Sequence, residues 1–96
     1  RSFNDVRRID GDKVAGAMIS DRVVIFGRDG QALDQRAGFE IPDSEKVFRI
    51  LVTDLVPGVW KVMKDGKVLI PAAEVCADDG TLYFSGQSGR YTLSMK

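Results

Sequence analysis

The sequence predicts an all-β domain, a sandwich or barrel of about seven short strands. Three observations carry that expectation. Asp-Gly pairs begin at Asp10, Asp29, Asp65 and Asp79, and Pro57-Gly58 adds a fifth turn marker, so turns recur at the short spacing of all-β folds. Apolar and polar residues alternate between several of these markers, which places every second side chain on one face of a strand. Eleven of the 14 acids are aspartate and three are glutamate, a bias toward turns and caps over helices.

Taken in order, residues 1–9 read as an irregular lead-in or edge strand, and Asp10-Gly11-Asp12 as a turn. Residues 13–20 hold a short apolar run around Gly16. A central glycine without a clean preceding cap favours a strand over a helix. Ser20-Asp21 is the next turn. The run Val23-Val24-Ile25-Phe26 is β-branched and aromatic throughout, as in a buried strand, and Arg28-Asp29-Gly30 ends it. Residues 31–38 are polar and less regular, with Ala32-Leu33 able to open a short strand. Ala37, Phe39 and Ile41 then alternate up to a Pro42-Asp43-Ser44 loop.

Residues 46–54 alternate well, with Phe48, Ile50 and Val52 on one face. Pro57-Gly58 pre-sets a tight turn, because proline fixes φ and glycine accepts φ > 0. The strand that follows puts Trp60 and Val62 on one face, and Val59, Lys61 and Met63 on the other. A large ring beside a β-branched residue packs inward, so Trp60 is expected in the core. Asp65-Gly66 is a strong hairpin signal. In residues 67–76, Pro71 implies an edge position or a bulge. Asp78-Asp79-Gly80 turns the chain again. Leu82 and Phe84 point inward with Tyr83 outward, Gly86 to Gly89 form a loop, and Tyr91, Leu93 and Met95 alternate to the end.

The totals bound the function. Ninety-six residues with 44% hydrophobic and 29% charged composition suit one globular domain, spanning 1–96. Fourteen basic residues balance 14 acidic ones, which argues against a nucleic-acid binder held by phosphate neutralisation. No apolar run approaches the ~20 residues of a membrane-spanning helix. The chain begins with Arg1, so it is expected to be a piece excised from a longer protein.

Most routes to catalysis close quickly. Without histidine the chain cannot hold a Ser-His-Asp or Cys-His arrangement, or a zinc site of the Cys and His type. The Gly86 to Gly89 stretch lacks the lysine and the strand-to-helix setting of a phosphate loop. The aspartates sit mostly in turns, where a structural role accounts for them. Asp10-Gly11-Asp12 and Asp78-Asp79-Gly80 offer hard oxygen ligands for calcium, but only two local carboxylates each and no EF-hand spacing. Cys76 is alone, which rules out an intrachain disulfide. In an apolar strand without a basic neighbour it is expected to be a small buried hydrophobe. Tyr83 is the best candidate for an exposed aromatic, though one ring makes a small sugar platform. The residues therefore predict no catalytic site, no metal and no cofactor, and assign no ligand-binding residue.

A resemblance adds context. The runs Arg49-Ile50-Leu51-Val52-Thr53-Asp54-Leu55-Val56-Pro57-Gly58-Val59-Trp60-Lys61-Val62, Asp65-Gly66-Lys67-Val68, Gly80-Thr81-Leu82-Tyr83-Phe84-Ser85-Gly86 and Gly89-Arg90-Tyr91-Thr92-Leu93 are similar to the C-terminal β-sandwich segments of heparinase II/III-like bacterial polysaccharide lyases. Ser20-Asp21-Arg22-Val23-Val24-Ile25-Phe26-Gly27 fits the strand preceding that segment. The turn into the Trp60 strand also resembles those of immunoglobulin-like and fibronectin-III-like domains. The resemblance implies an antiparallel sandwich of that kind and a non-catalytic structural or docking module of a secreted or periplasmic polysaccharide-degrading protein. Its partner would be the parent's catalytic domain. A carbohydrate-binding module that holds polysaccharide near that domain is the alternative. No residue matches a catalytic motif of such lyases, so neither Tyr83 nor Tyr91 inherits a role as base.

Overall fold

The computed structural model describes residues 6–30, 32–34, 36–42 and 45–95. It contains nine strands in two sheets among these residues, two more than the turn spacing predicts. They are β1 (Arg7–Asp10), β2 (Val14–Ile19), β3 (Arg22–Gly27), β4 (Arg36–Ile41), β5 (Phe48–Val52), β6 (Gly58–Lys64), β7 (Lys67–Val75), β8 (Leu82–Gly86) and β9 (Gly89–Met95). The five-stranded sheet runs β1-β2-β3-β5-β8 and the four-stranded sheet β4-β9-β6-β7. The expected lead-in strand is β1, and the part of that reading on residues 1–5 lies outside the described residues, as do Asp43 and Ser44 of the expected loop.

The turn residues do different work at different places. Ser20-Asp21 joins β2 to β3, and Asp65-Gly66 joins β6 to β7 with positive φ at both residues (53° and 82°), as a tight hairpin turn demands. Asp29-Gly30 and Asp79-Gly80 instead lie where the chain passes from one sheet to the other. Because β4 belongs to the second sheet, β3 and β5 meet as parallel neighbours, while every other strand pair is antiparallel. Leu33, expected to open a strand, makes only an isolated bridge to Leu55. The expected Gly86 to Gly89 loop is shorter than predicted. Both glycines belong to strands, and Gln87-Ser88 alone carries the chain between the sheets.

Alternation puts one face of each sheet into a common core. Trp60 is fully buried, as expected, among side chains that include Val62, Phe48, Ile50 and Leu93. Its indole N–H donates to the Val56 carbonyl at 2.9 Å, so the one polar atom of the ring is satisfied. Tyr91, also fully buried, joins the sheets. Its ring stacks on Phe39 at 5.3 Å and meets Phe84 of the opposite sheet at 5.8 Å, and its hydroxyl donates to the Gln87 carbonyl four residues upstream. A tyrosine tied to the backbone just upstream in this way is the device known as the tyrosine corner in β-sandwiches.

The edge strand β7 bears out both readings of Pro71. It lies outermost in its sheet, and register shifts on either side of Val62 set Lys61 opposite the Pro71-Ala72 pair. Cys76 departs from expectation. It falls one residue beyond β7 and is exposed, because the alternation that buries Val75 turns the next side chain outward.

Candidate functional site

The outward face of the five-stranded sheet is the most unusual surface of the fold. Strand β3 is central to that sheet, and its burial alternates strictly: Val23 and Ile25 face the core, Arg22, Val24 and Phe26 face out. The sequence predicts this apolar run to be a buried strand, and only half of it is. Val24 and Phe26 stand 40% and 41% exposed, because the second sheet covers one face and no described residue covers the other. Apolar residues on both faces of a strand, next to a parallel neighbour, are the pattern of a sheet covered on both sides.

Register extends the apolar surface across four strands. Ala17 of β2 pairs with Val24 of β3, Val24 with Leu51 of β5, and Leu51 with Tyr83 of β8. Tyr83, expected to point outward, is 62% exposed at the end of this row. Phe26 lies against Ala15 in the next row, and Ile19, at 52% exposure, pairs with Arg22 in the row on the other side. That outer row continues from Arg22 to Arg49 and Ser85. Arg8 and Asp10 close the far edge and bond each other at 3.1 Å.

The outward face of the four-stranded sheet is mixed: polar across β4 and β9, with Val59 and Val68 exposed on the β6–β7 side (42% and 54%). Arg36 pairs with Ser94 and Ser94 with Lys61, Gly38 with Thr92 and Thr92 with Met63, and Glu40 with Arg90. The β4–β9 part is an ordinary solvated surface, with Arg90 and Glu40 4.0 Å apart. A shallow recess of about 210 Å³ opens at its edge, lined by Asp10, Asp12, Arg36, Glu40 and Arg90 together with Phe39 and Tyr91. The two aromatic side chains are core residues, so the recess has polar walls and no exposed ring on which a sugar could stack.

The acidic turns have structural partners. Asp79 accepts from the Thr81 N–H at 3.2 Å, and Asp10 lies between Arg8 and Arg28 at 3.1 and 3.8 Å. No group of three or more metal-ligating side chains comes together among the described residues. Asp65 bonds the Arg90 N–H at 3.0 Å and the Lys64 ammonium at 3.0 Å. The backbone bond first, and Lys64 second, hold its carboxyl below the ordinary value. Burial, helped by the nearby Asp65 charge, pushes the Tyr91 hydroxyl up to about 12. That is the shift of a structural phenol, far from what a base working near neutrality needs.

Together these observations define a two-sheet β-sandwich with one outer face apolar across β2, β3, β5 and β8, and another that is polar across β4 and β9. The chain belongs to the heparinase II C-terminal domain family, whose model matches residues 8–95. No curated protein matches it. No helix among the described residues is long and apolar enough to cross a membrane.

The sequence reading anticipated Tyr83 pointing outward but missed the face on which it sits. The signal was present in Val23-Val24-Ile25-Phe26, whose apolar residues are twice what one covered face requires.

Proposed function

We propose that this chain is a non-catalytic docking module, the C-terminal sandwich domain of a larger bacterial secreted or periplasmic polysaccharide-degrading protein. It packs against the catalytic part of that parent through the outer face of its five-stranded sheet. The observation that carries this reading is the apolar row Ala17, Val24, Leu51 and Tyr83, flanked by Phe26 and Ile19. Contiguous apolar patches of this kind mark interaction surfaces more often than scattered exposed residues do. The family supports this choice of occupant, since a C-terminal domain has the rest of its parent ahead of it in the chain.

Lysine substitutions in the full-length parent test the assignment of faces. Val24→Lys is expected to lower the unfolding temperature of the parent well beyond Thr92→Lys on the polar face. A lysine on a free surface costs within about 0.5 kcal/mol. One forced against a packed apolar partner costs several. Equal effects from the two substitutions would refute docking through this face.

The exposed Tyr83 ring, diagonal to Arg49 across the β5–β8 pair, supports a second reading as a carbohydrate-binding module for acidic polysaccharide. In that case heparin-gel retention of the protein is lost in Tyr83→Ala. A protein that never binds the gel has no such function.

A further inference from the structure

The apolar row lies beside an unusual pair of charges. Arg22 and Arg49 are register partners on the parallel strands β3 and β5, and both point outward. Neighbouring strands lie about 4.8 Å apart, so two guanidinium-bearing side chains rise side by side from the same face. Like charges directly opposite each other on adjacent strands are destabilising. Arg8, Arg28 and Arg90 each reach a carboxylate, whereas the guanidinium groups of Arg22 and Arg49 have no hydrogen-bond or ion-pair partner among the described residues; Asp21, in the turn before β3, meets Arg49 only through its backbone carbonyl, which accepts from the Arg49 N–H at 2.8 Å. The only acid on the outward side of the strands of this face is Asp10, on the far edge strand and engaged by Arg8.

We infer that Arg22 and Arg49 form a paired-guanidinium contact for carboxylates on the part of the parent that precedes this domain, and that this contact sets how the apolar face docks. The inference rests on the docking reading above and adds the partner's chemistry: an apolar surface bordered by aspartate or glutamate. Arginine suits such a border because its planar fork binds a carboxylate through two parallel bonds and sheds water more readily than lysine. An apolar face supplies burial but little orientation. A charged pair at one side of it supplies register and excludes partners with basic borders.

Arginine and tyrosine footprinting of the folded full-length parent tests this. Phenylglyoxal modification is followed by peptide mass spectrometry at Arg22 and Arg49, with Arg36 and Arg90 on the polar face as internal references, and nitration reports on Tyr83. The expected result is modification of Arg22 and Arg49 about tenfold slower than of the references, the order of one charge-assisted hydrogen bond, with Tyr83 protected as well. In R22E/R49E, Tyr83 is expected to become reactive. Protection of Tyr83 with freely reacting Arg22 and Arg49 would overturn the carboxylate contact and leave docking intact. Free reaction at all three positions would overturn both. Arginines that react until heparin is added would be serving an acidic polysaccharide, and unchanged Tyr83 protection in R22E/R49E would mean the pair is merely covered. Either result overturns the inference.

Discussion

Replacing Trp60 with alanine removes the largest fully buried side chain in the protein. The ring is 0% exposed, lies in β6 between β7 and β9, and has Ala73 and Met95 as its register neighbours. The cavity would open on the core side of the interior strand β6, between the two sheets, where no single neighbour can fill it. Truncations of this size cost about 3–5 kcal/mol. The indole N–H also satisfies the Val56 carbonyl, but Val56 is only half-buried and water can take over there, so this loss adds little. Small domains have roughly 5–15 kcal/mol of stability in all. The variant should therefore lose a large share of it and melt about 12–40 °C lower. Trp60→Phe retains most of the apolar volume and should cost less than half as much. The assay is urea unfolding followed by far-UV circular dichroism, since the substitution removes the only tryptophan and its fluorescence. A loss below about 1 kcal/mol would place the ring outside a tightly packed core and refute the reasoning.

Two other predictions concern the junction of the sheets. A Cβ at Gly86 would clash with the Tyr91 hydroxyl oxygen and lie 3.1 Å from its ring, and that ring is held by Phe39 and Phe84. Gly86→Ala should cost about 1–3 kcal/mol by overpacking, and less in a Tyr91→Phe background that removes the hydroxyl. A double-mutant cycle in urea with no coupling would contradict this contact. The raised Tyr91 hydroxyl also predicts alkaline behaviour. Its unfolded value is near 10 and its folded value about 12, so the stabilisation is complete below about 10 and is lost as pH rises toward about 12. Urea midpoints measured across that window should fall in the native protein and fall less in Tyr91→Phe; parallel curves would assign the loss to other groups.

Much of this architecture is legible in the sequence, for reasons that particular residues make plain. Strict alternation in residues 48–52 and 58–64 fixes which side chains enter the core, and Asp65-Gly66 fixes the one hairpin whose backbone needs positive φ twice. Pro71 announces the edge. Strand partners are less visible, because the five passages between sheets leave little local trace; Asp29-Gly30 looks like a hairpin turn and is a crossing. Cys76 escapes the pattern for a related reason, since the apolar stretch Val75-Cys76-Ala77 continues past the end of β7, where only Val75 is buried. The candidate face was hidden by an ambiguity of short apolar runs. Val23-Val24-Ile25-Phe26 specifies a strand apolar on both sides, but whether each side meets its own chain or another surface depends on which strands lie above it. The Arg22–Arg49 pair needed the parallel register, which no local pattern encodes.

The most direct test of the docking claim is photo-cross-linking in the full-length parent, with a photoreactive residue placed at position 24 or, as the control, at position 92. The probe at 24 is predicted to attach to residues preceding this domain, and the probe at 92 to none. Attachment from 92 with none from 24 would contradict the account, because the polar face and not the apolar row would then be the one in contact.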